Sequence, residues 1–185
     1  MPLPQGEDRE LLHNRSVLTK GFKRKDGLWD IEGHLVDTKT YGFDNEDHSR
    51  RFEAGDPIHE MWLRITIDTE FLVHDVVAVT DHSPFQMCPD IVGNFKQLKG
   101  LRIGPGWMRE VRSRVGGVQG CTHLLEMLGA IGTTAYQTLY ATREEHYNEQ
   151  GDREAPDILN TCHALSSESE VVQRIWPKFY NKANS

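Results

Sequence analysis

Three cysteines are the residues of this sequence best suited to chemistry, and each lies near a histidine. They are Cys88, Cys121 and Cys162. An odd and widely spaced set is a poor framework for disulfides. In a reducing compartment these thiols are therefore packed apolar groups, metal ligands or nucleophiles. The residues around each cysteine are the evidence that distinguishes these roles.

The segment Gly-Cys-Thr-His at 120–123 is the first candidate site. Cys121 precedes a predicted long helix, where free N–H groups and the helix dipole stabilise a thiolate. His123 lies two residues further on, and the two side chains can hold one metal ion if they converge. The alternative is a glycine-rich loop that carries a buried cysteine and a capping residue.

The other two cysteines extend this hypothesis. Cys88 ends a predicted strand and loop and precedes a second predicted helix, so one sheet could bring it next to Cys121. Cys162 is followed by His163, and thiolate with imidazole suits Zn or Fe. The spacing fits no zinc-finger template, and the alternative for Cys162 is a packed thiol in the tail.

His59 lies on the apolar-patterned face of a predicted strand, where a charged imidazole would be costly. It is either a hydrogen-bonded core histidine or a site residue at the start of the strand. We include it in the predicted Zn or Fe site. The predicted metal ligands are Cys88, Cys121, His123, His59 and Cys162.

Asp30, Glu32 and His34 form a row on one face of another predicted strand. Such a row can supply a general base or a hard metal ligand, although it is more often the solvent-facing side of a sheet. We predict catalytic roles for these three residues and for Cys121. Trp62 is predicted to contact substrate in the same pocket.

A cluster of arginines between 102 and 114 makes this stretch positive within an acidic protein. Arg109 and Arg112 are the predicted substrate contacts, because guanidinium groups bind carboxylates, phosphates and the tail of coenzyme A. The alternative is a solvated face of a helix.

The predicted elements place strands before helices. Val17–Thr38 is predicted as a hairpin whose turn contains Asp-Gly, and Ile58–Thr80 as a second hairpin. The polar segment 39–56 is predicted as a loop. Helices are predicted over 89–98, 107–115 and 121–145. This order predicts an α+β fold, an antiparallel meander sheet of about four strands followed by helices packed on one face.

The length of 185 residues suits one domain with extensions. We predict a flexible N-terminal segment over 1–14 and a single α+β domain over 15–145. The C-terminal extension over 146–185 is predicted to pack on the domain and to contain a short helix between Cys162 and Trp176.

The composition limits the classes of function. The net charge of −7 argues against nucleic acid as a partner, since neutralising phosphates needs a surplus of Lys and Arg. There is no apolar run of about 18 residues to span a membrane. The N-terminus does not resemble a signal peptide, so we expect a cytoplasmic protein with a small-molecule substrate.

Several segments resemble a bacterial family catalogued as a domain of unknown function. They are DGLWDIEGHLVDTK (26–39), GDPIHEMWLRITID (55–68), SPFQMC (83–88), GGVQGCTHLLEML (116–128) and NTCHA (160–164). The resemblance covers nearly the whole chain and implies that GCTH and TCHA belong to the pattern of the family. It also implies a setting among genes for the breakdown of aromatic acids and their coenzyme A esters.

The order of elements has a more distant similarity to the iron–sulfur scaffold proteins. In these proteins, cysteines at a strand–helix junction and at a later helix start converge on one Zn or Fe–S site. Cys88 and Cys121 occupy comparable places, so the similarity implies an iron–sulfur-scaffold-like fold. His59 departs from that pattern, because it stands near the place of a further scaffold cysteine.

We predict a small cytosolic metalloenzyme, a lyase or hydrolase that acts on an acidic small molecule such as an aromatic acid or an acyl-CoA. Three alternatives stay open: a non-enzymatic metal or iron–sulfur carrier, a metal-free enzyme with Cys121 as its nucleophile, and a ligand-binding module. A homodimer is also compatible with the sequence.

Overall fold

The structure, a computed structural model, describes residues 3–4, 6–47, 50–150, 156 and 158–181, with side chains at all of these except 50 and 143–150. The chain divides into two compact units, Met1–Tyr140 and Ala141–Ser185. The first unit contains the sheet and most of the predicted site residues.

Four strands form one antiparallel sheet in the order β1-β2-β5-β6. Alternating apolar residues build its inner face, and a turn containing Asp26 and Gly27, whose φ is 86°, joins the first two strands. The strands are β1 (His13–Lys23), β2 (Trp29–Lys39), β5 (Pro57–Ile67) and β6 (Val73–His82). The predicted α+β fold with a meander of four strands is confirmed.

The prediction of a loop over 39–56 is wrong in part. Two short strands, β3 (Phe43–Asn45) and β4 (Arg50–Phe52), pair as a small hairpin. The rings of Phe43 and Phe52 stack with their centroids 5.1 Å apart, which gives this polar segment an apolar contact of its own. Such a contact between residues nine positions apart leaves no periodic signal in the sequence.

Helices follow the sheet in the predicted order. The segment Cys88–Leu98, predicted as a helix from Pro89, is a 3-10 helix with Gly93 at its centre. The α-helices are α1 (Trp107–Val115), α2 (Thr122–Gln150) and α3 (Glu170–Ile175). Shorter 3-10 turns lie at Gly117–Gln119, His163–Leu165 and Pro177–Phe179. In the described part of the chain, no helix is long and apolar enough to cross a membrane.

Helix α2 covers the inner face of the sheet and sets the position of its own first turn. Its apolar stripe, which contains Leu124, Leu128, Ile131, Ala135 and Leu139, is fully buried. Gly33 of β2 lets the helix approach closely, because a Cβ there would lie 3.0 Å from Ile131. Thr19 of β1 shares a hydrogen bond of 2.7 Å with Thr134. The helix therefore runs over β1 and β2.

The second unit contains α3 within the tail where a short helix was predicted. Ser169 caps this helix, since its hydroxyl accepts a hydrogen bond of 3.1 Å from the Val172 N–H. The placement of 146–185 on the domain stays a prediction.

Candidate metal centre

Asp37 is a buried carboxylate near the end of β2, with 1% of its side chain exposed. Arg15 of β1 lies directly opposite in the register and donates from Nε and from its second terminal nitrogen, each at 2.7 Å. Burial alone would raise the pKa of Asp37, but the hydrogen bonds and charge of Arg15 hold that pKa below its usual range. Asp37 is therefore an anion at neutral pH.

His59 faces Asp37 from the other neighbouring strand. The two residues pair in the register of β2 and β5, and Nδ1 of His59 lies 3.0 Å from Oδ2 of Asp37. Burial and the neighbouring His123 lower the pKa of His59 to about 4, against the opposing pull of Asp37. The imidazole is therefore neutral at pH 7.

His123 comes from the first turn of α2. Its Nε2 lies 3.6 Å from Oδ2 of Asp37, and its ring stacks on that of His59 with centroids 3.7 Å apart. Burial, and then the charge of Arg15, lower the pKa of His123. The structure thus brings two predicted ligands, His59 and His123, to one carboxylate oxygen.

Asp37, His59 and His123 offer one ligand atom each, and these atoms lie within 4.8 Å of one another. Each carboxylate oxygen has two lone-pair sites, and the guanidinium fork of Arg15 takes one on each. Oδ2 therefore keeps a site that faces the imidazoles. Neutral imidazoles with an ionised carboxylate have the protonation that metal binding requires, so the residues present fit a divalent cation.

The sheet is irregular at this point. The register of β2 against β5 shifts between Asp37 and Thr38, and that of β5 against β6 shifts between Glu60 and Met61. Such irregularities are over-represented beside active sites, because they redirect side chains. His13 is a further histidine near Asp37, with its Nε2 3.4 Å from Oδ1, and its side chain is 42% exposed.

Cys121 contacts His123 at Nδ1, the ring nitrogen that does not face Asp37. Its Sγ lies 3.8 Å from Nδ1 of His123 and 3.8 Å from the sulfur of Met61. Cys88 begins the 3-10 helix and is partly buried, and Cys162 is exposed in the second unit. Among the residues that the structure describes, the metal-ligand group contains none of the three cysteines. A metal site shared by Cys88 and Cys121 stays a prediction.

The predicted catalytic row lies on the other face of the sheet. Because side chains alternate along β2, Asp30, Glu32 and His34 point away from the face of Asp37. His34 stacks on Trp62, with centroids 3.5 Å apart, and contacts Glu60 at 2.9 Å. The structure therefore brings His34 and Trp62 together, but it separates them from the centre.

The two predicted substrate-binding arginines lie on α1. Arg109 pairs with the adjacent Glu110 at 3.6 Å and is largely exposed, and Arg112 reaches the carbonyl of Met108 at 3.5 Å. In the part of the chain that the structure describes, neither arginine makes a hydrogen bond or ion pair with Asp37, His59 or His123. Their role as substrate contacts stays a prediction.

Asp37 and Arg15 are the site residues that sequence reasoning missed. Asp37 continues the inner-face positions of β2 after Trp29, Ile31 and Leu35, so its place in the alternation was a usable signal. Arg15 lay outside the predicted strand, because polar side chains at the start of β1 hide the alternation.

Comparison with known proteins gives a match to a family model. Residues 13–137 match the model of a family described as protein of unknown function (DUF2889). The matched range contains Arg15, Asp37, His59 and His123. No curated protein and no solved structure matches. The similarity to iron–sulfur scaffold proteins stays a prediction.

Proposed function

This chain belongs to the DUF2889 family of proteins of unknown function, and we propose that it is a metalloenzyme with Asp37, His59 and His123 as the ligands of one divalent cation. One observation carries this proposal: an imidazole nitrogen from β5 and one from α2 face the same oxygen of a buried carboxylate. Three distant segments of the chain thus supply one ligand set.

The chemistry of the ligand set favours zinc or ferrous iron. Two imidazoles with one carboxylate are used by catalytic zinc sites and by non-haem iron enzymes. Asp37 and the exposed Glu126 together exceed the single positive charge of Arg15, which contacts both. The surroundings are therefore negative overall, which favours a cation.

Three protein ligands leave a coordination position for water or substrate. The side chains of His59 and His123 are 17% and 20% exposed, so the centre has some contact with solvent. A bound metal would supply a Lewis acid or activate water. We propose a hydrolase or lyase that acts on an acidic small molecule, with Arg15 holding Asp37 in place.

Metal affinity tests the proposal. Zinc titration against a competing chelator should give one ion per chain, with affinity reduced at least about 100-fold in His59→Gln and in His123→Gln. His34→Gln is the matched control, because His34 also contacts a carboxylate, Glu60, but on the other face. It should change the affinity less than about twofold. Equal losses in all three variants would contradict the proposal.

Activity separates an enzyme from a carrier. The zinc-loaded and iron-loaded proteins should hydrolyse or cleave members of a panel of aromatic esters and coenzyme A thioesters, and His59→Gln should not. Tight metal binding without turnover of any member would favour the alternative of a metal carrier.

A second candidate function is supported by the position of Cys121. Its Sγ lies 3.8 Å from Nδ1 of His123, whose Nε2 faces Asp37 at 3.6 Å. This is the order of a nucleophile, a base and an orienting carboxylate. Cys121 would attack the carbonyl carbon of an ester or thioester, and His123 would take the thiol proton and give it to the departing alcohol or thiol as its bond to that carbon breaks. Water would then hydrolyse the acyl group from Cys121 and restore the thiol.

The two functions need opposite tautomers of His123. A metal ligand at Nε2 leaves the proton on Nδ1, facing Cys121, whereas a base for Cys121 carries its proton on Nε2, facing Asp37. Nitrogen NMR shifts of His123 distinguish these tautomers. An Nδ1–H tautomer in the metal-loaded protein supports the first function, and an Nε2–H tautomer with rapid alkylation of Cys121 supports the second.

A further inference from the structure

The side chains on the outer face of the sheet, the face opposite Asp37 and α2, form rows across all four strands. One row consists of Leu18, His34, Trp62 and Val79, and the adjacent row consists of Lys20, Glu32, Arg64 and Val77. The large apolar members of both rows are exposed. Apolar side chains that share one face in this way are typical of an interaction surface, unlike those scattered singly.

Several polar groups of this face already have partners within the chain. Glu60 contacts His34 at 2.9 Å and His82 at 3.1 Å, and the indole N–H of Trp62 donates to Asp81 at 2.8 Å. Covering these groups would therefore leave their hydrogen bonds made, which lowers the cost of removing them from water.

We propose that a second copy of this chain covers this face, in a dimer whose twofold axis runs parallel to the strands above the seam between β2 and β5. Under that symmetry each row meets the same row of the partner in reverse order. β2 then lies opposite β5, and β1 lies opposite β6. This is the face-to-face packing of two aligned sheets.

Three of the four kinds of facing pair in these rows match under this symmetry, and the fourth places Lys20 opposite Val77 of the second copy. Leu18 meets Val79 of the second copy, and His34 meets Trp62. Glu32 meets Arg64 and Arg64 meets Glu32, so opposite charges face each other twice. Within one chain these two charges are 3.9 Å apart, at the limit of an ion pair, so both are available to the second copy.

The size of the face suits a reversible dimer. Strand spacing and rise give about 600 Å² per copy for four strands of this length, near the low end of specific interfaces. We therefore expect a dissociation constant of about 1 to 100 μM.

The first experiment is sedimentation of the full chain from about 1 to about 500 μM. Leu18→Lys should weaken the dimer at least about tenfold. Val17→Lys is the matched control, since Val17 is the next residue of the same strand, 40% exposed against 49% for Leu18, but on the other face. A monomer over the whole range would overturn the proposal, as would loss of the dimer in Val17→Lys alone, which indicates pairing through the edge of β1.

The second experiment mixes two charge variants. Arg64→Glu alone places two carboxylates opposite each other, and Glu32→Arg alone places two guanidinium groups opposite each other, so each variant should associate at least about tenfold more weakly than the wild type. Mixed in equal amounts, the two should form a heterodimer, because every facing pair is then complementary. Absence of association in the mixture while the wild type dimerises would contradict this symmetry.

Discussion

Two clusters of histidine and carboxylate lie back to back on the same part of β5. On the inner face His59 joins Asp37 and His123, and on the outer face the next residue, Glu60, joins His34 and His82. The residue types and distances are similar. The clusters differ in the direction of the contacts and in their burial.

In the inner cluster both imidazoles face one oxygen of Asp37, whereas in the outer cluster each oxygen of Glu60 contacts a different histidine. Asp37 is 1% exposed and Glu60 is 25% exposed. Convergence on one buried oxygen is the arrangement that the proposed cation site needs. Contacts that diverge across a solvated face only link side chains, so residue types alone do not identify the site.

The largest expected difference between the clusters is in stability. Asp37→Ala leaves Arg15 without its main partner and should lower the free energy of unfolding by about 3 kcal/mol. Glu60→Ala should cost less than about 1 kcal/mol, because its contacts are partly solvated. Urea unfolding of the metal-free variants measures both values. Equal losses of unfolding free energy in Asp37→Ala and Glu60→Ala would contradict the difference proposed between the two clusters.

The pH dependence of stability sharpens the comparison. The pKa of His59 is about 4 in the folded chain, below the ordinary value of 6.5 expected after unfolding. The unfolded chain therefore binds a proton that the folded chain excludes. The contribution of His59 to the free energy of unfolding is fully present above pH 6.5. It is lost as the pH falls from 6.5 to 4, which lowers that free energy by about 2 to 3 kcal/mol.

Urea unfolding of metal-free protein at pH 7 and at pH 4.5 measures this fall. His59→Gln should remove much of it, and the outer-face control His34→Gln should keep it. A wild-type protein as stable at pH 4.5 as at pH 7 would show that the histidine of the inner cluster is not held neutral by burial.

The smallest expected effect concerns Cys121. Its thiol contacts Nδ1 of His123, whereas the proposed ligand atom is Nε2, so Cys121→Ser should change zinc affinity less than about threefold. Chelator competition measures this change, with His123→Gln as the reference for a lost ligand. A loss of affinity as large as that in His123→Gln would make the thiol a ligand and restore the prediction of a cysteine site.

The sequence predicted the sheet well because alternation and the Asp-Gly turn are local signals. His59 stood out for the same reason, since it interrupts an apolar face, and His123 stood out by its place after a glycine-rich turn. The hairpin of β3 and β4 could not be predicted, because its contact between Phe43 and Phe52 is neither periodic nor adjacent.

The ligand set was predicted only in part, because convergence is a property of tertiary structure. The sequence shows a polar row from Asp30 to His34, whereas Asp37 is the acidic residue of β2 that faces α2. The cysteines drew attention by their chemistry. Whether a given cysteine contacts a histidine depends on how α2 crosses the sheet. No local sequence pattern predicts that crossing.

X-ray absorption of the zinc-loaded protein tests the central claim most directly, because it reports the atoms bound to the metal. Nitrogen and oxygen ligands at about 2.0 to 2.2 Å without sulfur are expected from Asp37, His59 and His123. The imidazole signal should weaken in His59→Gln and persist in His34→Gln. A sulfur ligand at about 2.3 Å would contradict the account and place the metal on the cysteines.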